Sequence, residues 1–306
     1  MPKRYAKQNQ RFQRDLIRWY STAGRNLPWR QTRDPYAIVV SEIMLQQTQV
    51  SRGLPKYVAW MKQFPTLEVL AHAPLSEVLA AWQGLGYNRR AKYLWLLAQT
   101  VVNQYNGKFP ETKKEVLKLP GVGPHTAGAI MSFAFGQIEP MYDTNALRVV
   151  GRVCKGYATL PSLDKKEWDQ LMHQTVPAQK NIYAFNQALM DLGALICTAK
   201  NPSCKVCPLS SNCASYPAIL HAAGHELRLT QPVKETLYFG QPRRIWRGKI
   251  LRVLHEQTPR GLTFQRLGKQ IQADFSADRL DWLKSVVKLL EQEGMLRVKE
   301  NRIVLP

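Results

Sequence analysis

The sequence predicts a mainly α-helical protein with a compact cysteine loop and a small C-terminal helical unit that ends in a β-hairpin. Three observations carry this. Apolar residues recur at three- and four-residue spacing through the first two-thirds of the chain, and no strand pattern precedes about residue 235. Four of the five cysteines lie between Cys197 and Cys213. Beyond Arg244 the helical pattern returns and gives way to two short alternating segments.

The first helix is expected over 10–20, stopping before Ser21-Thr22-Ala23-Gly24. A largely buried helix follows over 36–50, where apolar residues dominate. Segments 67–73, 74–82 and 88–105 carry the helical period between Pro and Gly breaks. Next come 112–118, the turn Leu119-Pro120-Gly121-Val122-Gly123, and a helix over 124–135. Pro124 suits a first helical turn, where its missing N–H costs nothing. Further helices are expected over 144–154, 165–176 and 182–195. Residues 214–243 read as a linker with a short strand at 235–239. The C-terminal unit has one helix marked by Ile245, Ile250, Leu251 and Leu254, a second over 263–271 and a third over 277–293. Thr263 suits an N-cap and Gly294 a C-cap. Segments 295–298 and 302–305 alternate around Lys299-Glu300-Asn301 as a hairpin. Three helices and a hairpin resemble a winged helix, a fold used for DNA and for protein contacts alike.

At 306 residues the chain suits two or three domains, and its 45% hydrophobic content suffices for their cores. No apolar run approaches the length that spans a membrane, and the basic N-terminus lacks the apolar stretch of a secretory signal. The net charge of +21 favours a polyanionic partner, with nucleic acid ahead of an anionic membrane surface.

The cysteine spacing is C-x6-C-x2-C-x5-C, over Cys197, Cys204, Cys207 and Cys213. Four thiolates so close together pair or hold a metal, and sets of four hold zinc or an iron–sulfur cluster. Zinc sites usually present two short hooks, whereas only Cys204–Cys207 is short here. The pattern leans towards a 4Fe–4S cluster. Two disulfides suit a secreted chain better than this one.

Three further features bear on chemistry. Gly121 and Gly123, two apart between helices, let backbone N–H groups face a phosphate at a helix N-terminus; an ordinary glycine turn is the plain alternative. Glu42 interrupts the apolar run Ala37 to Leu45. Buried there, its carboxyl would be raised and would serve as a general acid; on a polar stripe it would merely be solvated. Asp143 stands before the helix at 144 as an N-cap, and a cap can leave one oxygen to face a developing cation. One neutral and one charged carboxyl are a common arrangement for cleaving a glycosidic bond.

Together these features resemble the endonuclease III superfamily of helix–hairpin–helix DNA glycosylases, and within it the MutY type of adenine DNA glycosylase. The match runs over about residues 10–215. It is carried by Leu27-Pro28-Trp29-Arg30, the stretch Ser41 to Gln49, Gly84-Leu85-Gly86-Tyr87, Leu119 to Ile130, Asp143 and Phe185 to Gly193. The resemblance implies an iron–sulfur cluster lobe of residues 1–30 and 138–215, and a helical-barrel lobe of residues 31–137 holding the helix–hairpin–helix. A linker over 216–243 and a winged-helix-like domain over 244–306 complete the expected organisation. It further implies that Glu42 protonates the adenine, that Asp143 stabilises the cationic sugar, and that Asn145 helps orient the reacting centre. Trp29, Arg30, Leu45, His125 and Gln187 would line the pocket for the extruded base, since the glycosidic bond is not reachable inside the stack. Gln47, Leu85 and Tyr87 would fill the gap, with Gly121, Val122 and Gly123 on the DNA backbone. For Leu45 and Leu85 a plain core role stays open, as does a buried ring for Tyr87.

The chain departs from the pattern at three places. His125 stands where strand-cutting relatives carry a lysine, and an imidazole forms no Schiff base, so a monofunctional enzyme is expected. Thr144 replaces a glycine common between the catalytic Asp and Asn. No Nudix-like β-rich domain is legible in 214–306, so 8-oxoguanine selectivity is expected to be weaker or achieved differently. The implied function is removal of adenine mispaired with guanine or 8-oxoguanine in double-stranded DNA. The chain would act as a monomer in the cytoplasm, at the nucleoid in a bacterium, with further DNA or protein contacts through the winged-helix-like domain. A thymine or uracil mismatch glycosylase, or a non-catalytic iron–sulfur DNA-binding protein, are the alternatives.

Overall fold

The computed structural model describes residues 3–159, 164–177, 181–221, 235–257 and 261–306. The chain begins with α1 (Lys3–Ala23), a 3-10 turn at Pro28–Arg30, α2 (Pro35–Leu45) and α3 (Val50–Gln63). It continues with α4 (Leu67–His72), α5 (Leu75–Ala81), α6 (Arg89–Gln104), α7 (Lys113–Val116) and α8 (Pro124–Phe133). Then come α9 (Thr144–Val150), extended by a π-turn at Gly151–Lys155, α10 (Lys165–Thr175), α11 (Ile182–Leu195) and α12 (Tyr216–His221). The C-terminal part holds β1 (Leu237–Tyr238), β2 (Gln241–Pro242), α13 (Arg243–Glu256), α14 (Phe264–Ile271), α15 (Leu280–Gln292), β3 (Arg297–Lys299) and β4 (Arg302–Val304).

These elements form two compact units. The first comprises 1–39, 110–118 and 122–232. Its core is built where α1, α9 and α11 pack together, with Phe12, Leu16, Val149, Phe185 and Leu189 buried. Phe12 meets Phe185 edge-on at 5.6 Å, an arrangement that suits the ring quadrupoles. The second comprises 40–109, 119–121 and 233–306. There α4 and α5 pack on α6, and α13 packs on α5, so the C-terminal helices share a unit with residues 40–109. The units therefore break at places other than the boundaries read from the sequence.

The helix expected over 36–50 is two helices. It stops at Leu45, and Gln47 takes a left-handed backbone (φ 55°) before α3 starts at Val50. Gly53 and Pro55 lie inside α3 and disguise it in the sequence. The expected linker contains α12 at its start, and its residues 222–234 lie outside the described ones. The strand expected at 235–239 narrows to Leu237–Tyr238, paired antiparallel with Gln241–Pro242. The third C-terminal helix begins as a 3-10 turn at Ala277–Arg279. The terminal hairpin pairs Val298 with Ile303, and Ile303 also bridges Leu262. Among the described residues no helix is long and apolar enough to cross a membrane.

Candidate functional site

Asp143 caps α9 in the first unit. Its backbone is extended, and its Oδ1 accepts the Asn145 N–H at 2.6 Å. The side chain is half-buried, so the cap holds one oxygen and fixes the group. Asn145 Oδ1 accepts from Arg148 Nη2 at 2.7 Å. The buried Arg148 also donates to Gly193 O at 2.6 Å and to Cys197 O at 2.7 Å. Burial pulls this guanidinium below its ordinary value. Gly193 is required by close approach, because a Cβ there would stand 2.5 Å from Asn145 Cβ.

Glu42 rises from α2 in the second unit. It is half-buried between Ser41 and Ile43, both buried, so it is not on a freely solvated stripe. The end of this helix is held by Arg90, which donates to Ile43 O (2.9 Å), Met44 O (3.1 Å) and Gln46 O (2.6 Å). The same guanidinium donates to Leu85 O and Gly86 O, each at 3.1 Å. One buried cation thus satisfies carbonyls from the α2 terminus and from the 84–87 loop. Burial lowers its pKa to about 10.

That loop presents Tyr87 outward, 43% exposed, with a left-handed backbone (φ 47°). Tyr87 is no buried ring. Gln47 is exposed and equally left-handed, whereas Leu85 is core and Leu45 half-buried. Positive φ in two non-glycine residues is strain of the kind that gathers at functional positions. The glycine turn runs from α7 to α8. Gly121 is left-handed (φ 76°), and a Cβ there would lie 2.7 Å from Tyr93 Cβ. Val122 is buried, and Gly123 caps α8 without a side chain. His125 is half-buried in the first turn of α8.

Trp29 and Gln187 are buried in the first unit. Arg30 binds Asp191 with both terminal nitrogens, each at 2.7 Å, and also donates to Arg25 O. Arg25 adds Nε at 2.7 Å and its backbone N–H at 2.9 Å. Burial acts to raise the Asp191 carboxyl, but the hydrogen bonds and charge of Arg30 and Arg25 outweigh it and hold it below the carboxylate range. The guanidinium of Arg30 is therefore committed to the lobe's interior.

All five cysteines are free thiols. Cys197, Cys204, Cys207 and Cys213 line one enclosed space, walled by Val149, Leu192, Ile196 and Leu209. Arg152, fully buried, places Nη1 3.4 Å from Cys197 Sγ and donates to Thr198 O and Ala199 O. Burial first, then the neighbouring thiols, pushes Cys207 up to about 12 and Cys213 up to about 11. Among the described residues no group of three or more His, Cys, Asp or Glu is arranged to hold a metal ion. The four thiols sit instead around the walls of a shared cavity.

Sequence reasoning missed Arg90, Arg148, Arg152 and Asp191. Each is a buried charge inside a helix, a combination that periodicity treats as a surface residue.

The family model for the HhH-GPD superfamily base excision DNA repair protein matches residues 40–174. Among solved structures, a thermostable thymine-DNA glycosylase superposes with a TM-score of 0.64 at 35% identity, over 70% of this chain and 98% of that one. An adenine DNA glycosylase of Buchnera aphidicola subsp. Baizongia pistaciae is 42% identical over 209 residues, 67% of this chain and 58% of that relative. One from Mycolicibacterium smegmatis is 40% identical over 248 residues, 80% of each chain. The fold is thus that of a base excision DNA repair protein. Within that class, the chain belongs to the adenine DNA glycosylase family. It spans a little under three-fifths of the length of the Buchnera relative and four-fifths of the mycobacterial one.

Proposed function

We propose that the chain is a monofunctional DNA glycosylase that hydrolyses the N-glycosidic bond of a flipped-out adenine mispaired with guanine or 8-oxoguanine. The observation that carries this reading is the contrast of two carboxyl groups. Glu42 is half-buried in an apolar helix, and Asp143 is fixed as a half-buried cap. Glu42 delivers a proton to the adenine ring, which leaves with the electrons of the C1′–N9 bond. Asp143 faces the cationic sugar, and water adds at C1′. Asn145 keeps Asp143 in place through the capping hydrogen bond, and the family resemblance assigns Trp29, Leu45 and Gln187 to the base. His125 supplies no amine for Schiff-base strand cleavage.

The four cysteines fit a 4Fe–4S cluster better than one zinc ion. Their spacing holds one short hook, Cys204–Cys207, where zinc sites usually present two, and all four line one cavity. The cluster would replace the thiol protons and tie the 197–213 loop together. Such a protein works on double-stranded DNA as a monomer, in the cytoplasm or at the nucleoid. The described residues of 243–306 form three helices and a hairpin, which supports a winged-helix-like module.

The similarity to a thymine-DNA glycosylase favours a second reading, release of thymine or uracil opposite guanine. Single-turnover assays on duplexes with adenine opposite 8-oxoguanine, guanine and cytosine, and with thymine opposite guanine, separate the two. Adenine release is expected, and Glu42→Gln should slow it by about 10²- to 10⁴-fold with duplex binding kept. Thymine release alone, or full activity in Glu42→Gln, overturns the assignment.

A further inference from the structure

The second unit carries a groove of about 680 Å³ that runs from Gln47 and Tyr87 to α13, whose residues have no role so far. It is bordered by α3, the 83–88 loop and α13. Arg52 and Lys56 reach it from α3, and Arg244, Lys249 and Arg252 from α13. Among the described residues no acidic side chain lines it. Arg52 donates to Gly84 O, which anchors that cation to the loop. Arg244 stands 5.9 Å from the centre of the Tyr87 ring and pairs with Glu235 at 3.0 Å. That pair is nearly half exposed on both sides, so water and salt weaken it and an anion can compete for the arginine. Lys249 lies 4.3 Å from the centre of the Trp246 ring, which steadies its long stem. Gln47 and Tyr87, both left-handed and exposed, line the same groove.

Cations along two walls, with an exposed aromatic ring between them, form the pattern that binds a nucleic-acid strand: phosphates on the walls, bases towards the ring. An acidic protein would need a rim of matched hydrogen-bonding groups, whereas five long cationic side chains suit a repeating charge. We propose that this groove grips the phosphate backbone of a DNA strand, with α13 of the C-terminal unit supplying cations beyond residues 10–215. It rests on the reading of the chain as a DNA enzyme and adds a strand-holding role for α13. The contacts go to phosphate, so they add affinity without distinguishing the base opposite the adenine.

The test uses the full chain and a labelled, fully paired duplex with no mispair. Kd is measured against salt for the wild type and for the triple variant Arg244→Ala, Lys249→Ala, Arg252→Ala. Each phosphate contact contributes about 0.9 to the slope of log K against log salt, so the triple variant should lose about 2.7. Base release from saturated single-turnover complexes should be unchanged, because none of these residues touches the base. Arg252→Ala alone, at an exposed position, should lose about 0.9 and guards against a misfolded triple variant. An unchanged slope in folded variants overturns the proposal. So does a slope that stays constant while binding to phosphatidylserine vesicles is lost, since the groove would then be a membrane contact. If the wild type releases no base and the slope still falls, the glycosylase reading fails and the groove stands. Normal base release with an unchanged slope means the reverse.

Discussion

Two buried arginines hold parts of the candidate site, and they are compensated in opposite ways. Arg30, in the first unit, meets a carboxylate: Asp191, itself wholly buried and shared with Arg25. Arg90, in the second unit, donates to five backbone carbonyls from Ile43 to Gly86. Removing charge from water is costly in both cases. A formal anion repays that cost once, through a single titratable group. Five partial charges repay it without any titratable partner. The difference shows that a buried guanidinium is no sign of an ion pair, and that the two units should respond to acid differently.

The largest expected effect is at Asp191. Asp191→Asn leaves two guanidinium groups against a neutral amide, and should cost about 3–5 kcal/mol in chemical denaturation. The pH dependence has a definite sign. The folded carboxyl lies below its ordinary value, so its stabilisation is present above about pH 3.9 and is lost as pH falls through the folded pKa. The unfolding free energy of the wild type should therefore drop more steeply below pH 4 than that of Asp191→Asn. Equal slopes would break the comparison.

Arg90→Lys is the counterpart and the next in size. A lysine keeps the charge but has three donors on one nitrogen, which cannot span carbonyls from two segments. The orphaned carbonyls should cost about 1–3 kcal/mol. The acid slope should match the wild type, because no carboxylate is involved. A change in that slope would show a hidden anionic partner for Arg90.

The same contrast explains what was legible beforehand. The helices, the glycine turn, the Asp143 cap and the cysteine loop are local features, written in spacing and in residue types with strong backbone preferences. Asp143 was readable because an N-cap needs only its own neighbours. The break at Gln47 was not, since a left-handed glutamine has no sequence signature and the carbonyl of the preceding Gln46 is held by Arg90, more than forty residues away. Likewise α3 was hidden by Gly53 and Pro55, whose usual meaning as breakers is overridden by packing of Tyr57 and Trp60. Arg148 and Arg152 lie in an apolar-periodic segment, and only the tertiary fold shows that their partners are carbonyls of the cysteine loop.

The smallest effect separates the two tasks given to Asp143. As a cap it accepts the Asn145 N–H, and as a carboxylate it faces the reacting sugar. Asparagine caps a helix about as well as aspartate, whereas alanine does not. Asp143→Asn should therefore keep thermal stability near the wild type and still lose base release. Asp143→Ala should lose base release and also about 1 kcal/mol of stability. Glu42→Gln, by contrast, removes no cap and should lose activity with little change in stability, which sets the two carboxyl groups apart by a measurement independent of rate. If Asp143→Asn proved as unstable as Asp143→Ala, the carboxylate charge itself, acting beside Arg148, would be what holds the start of α9, and the cap would be the lesser part of its role.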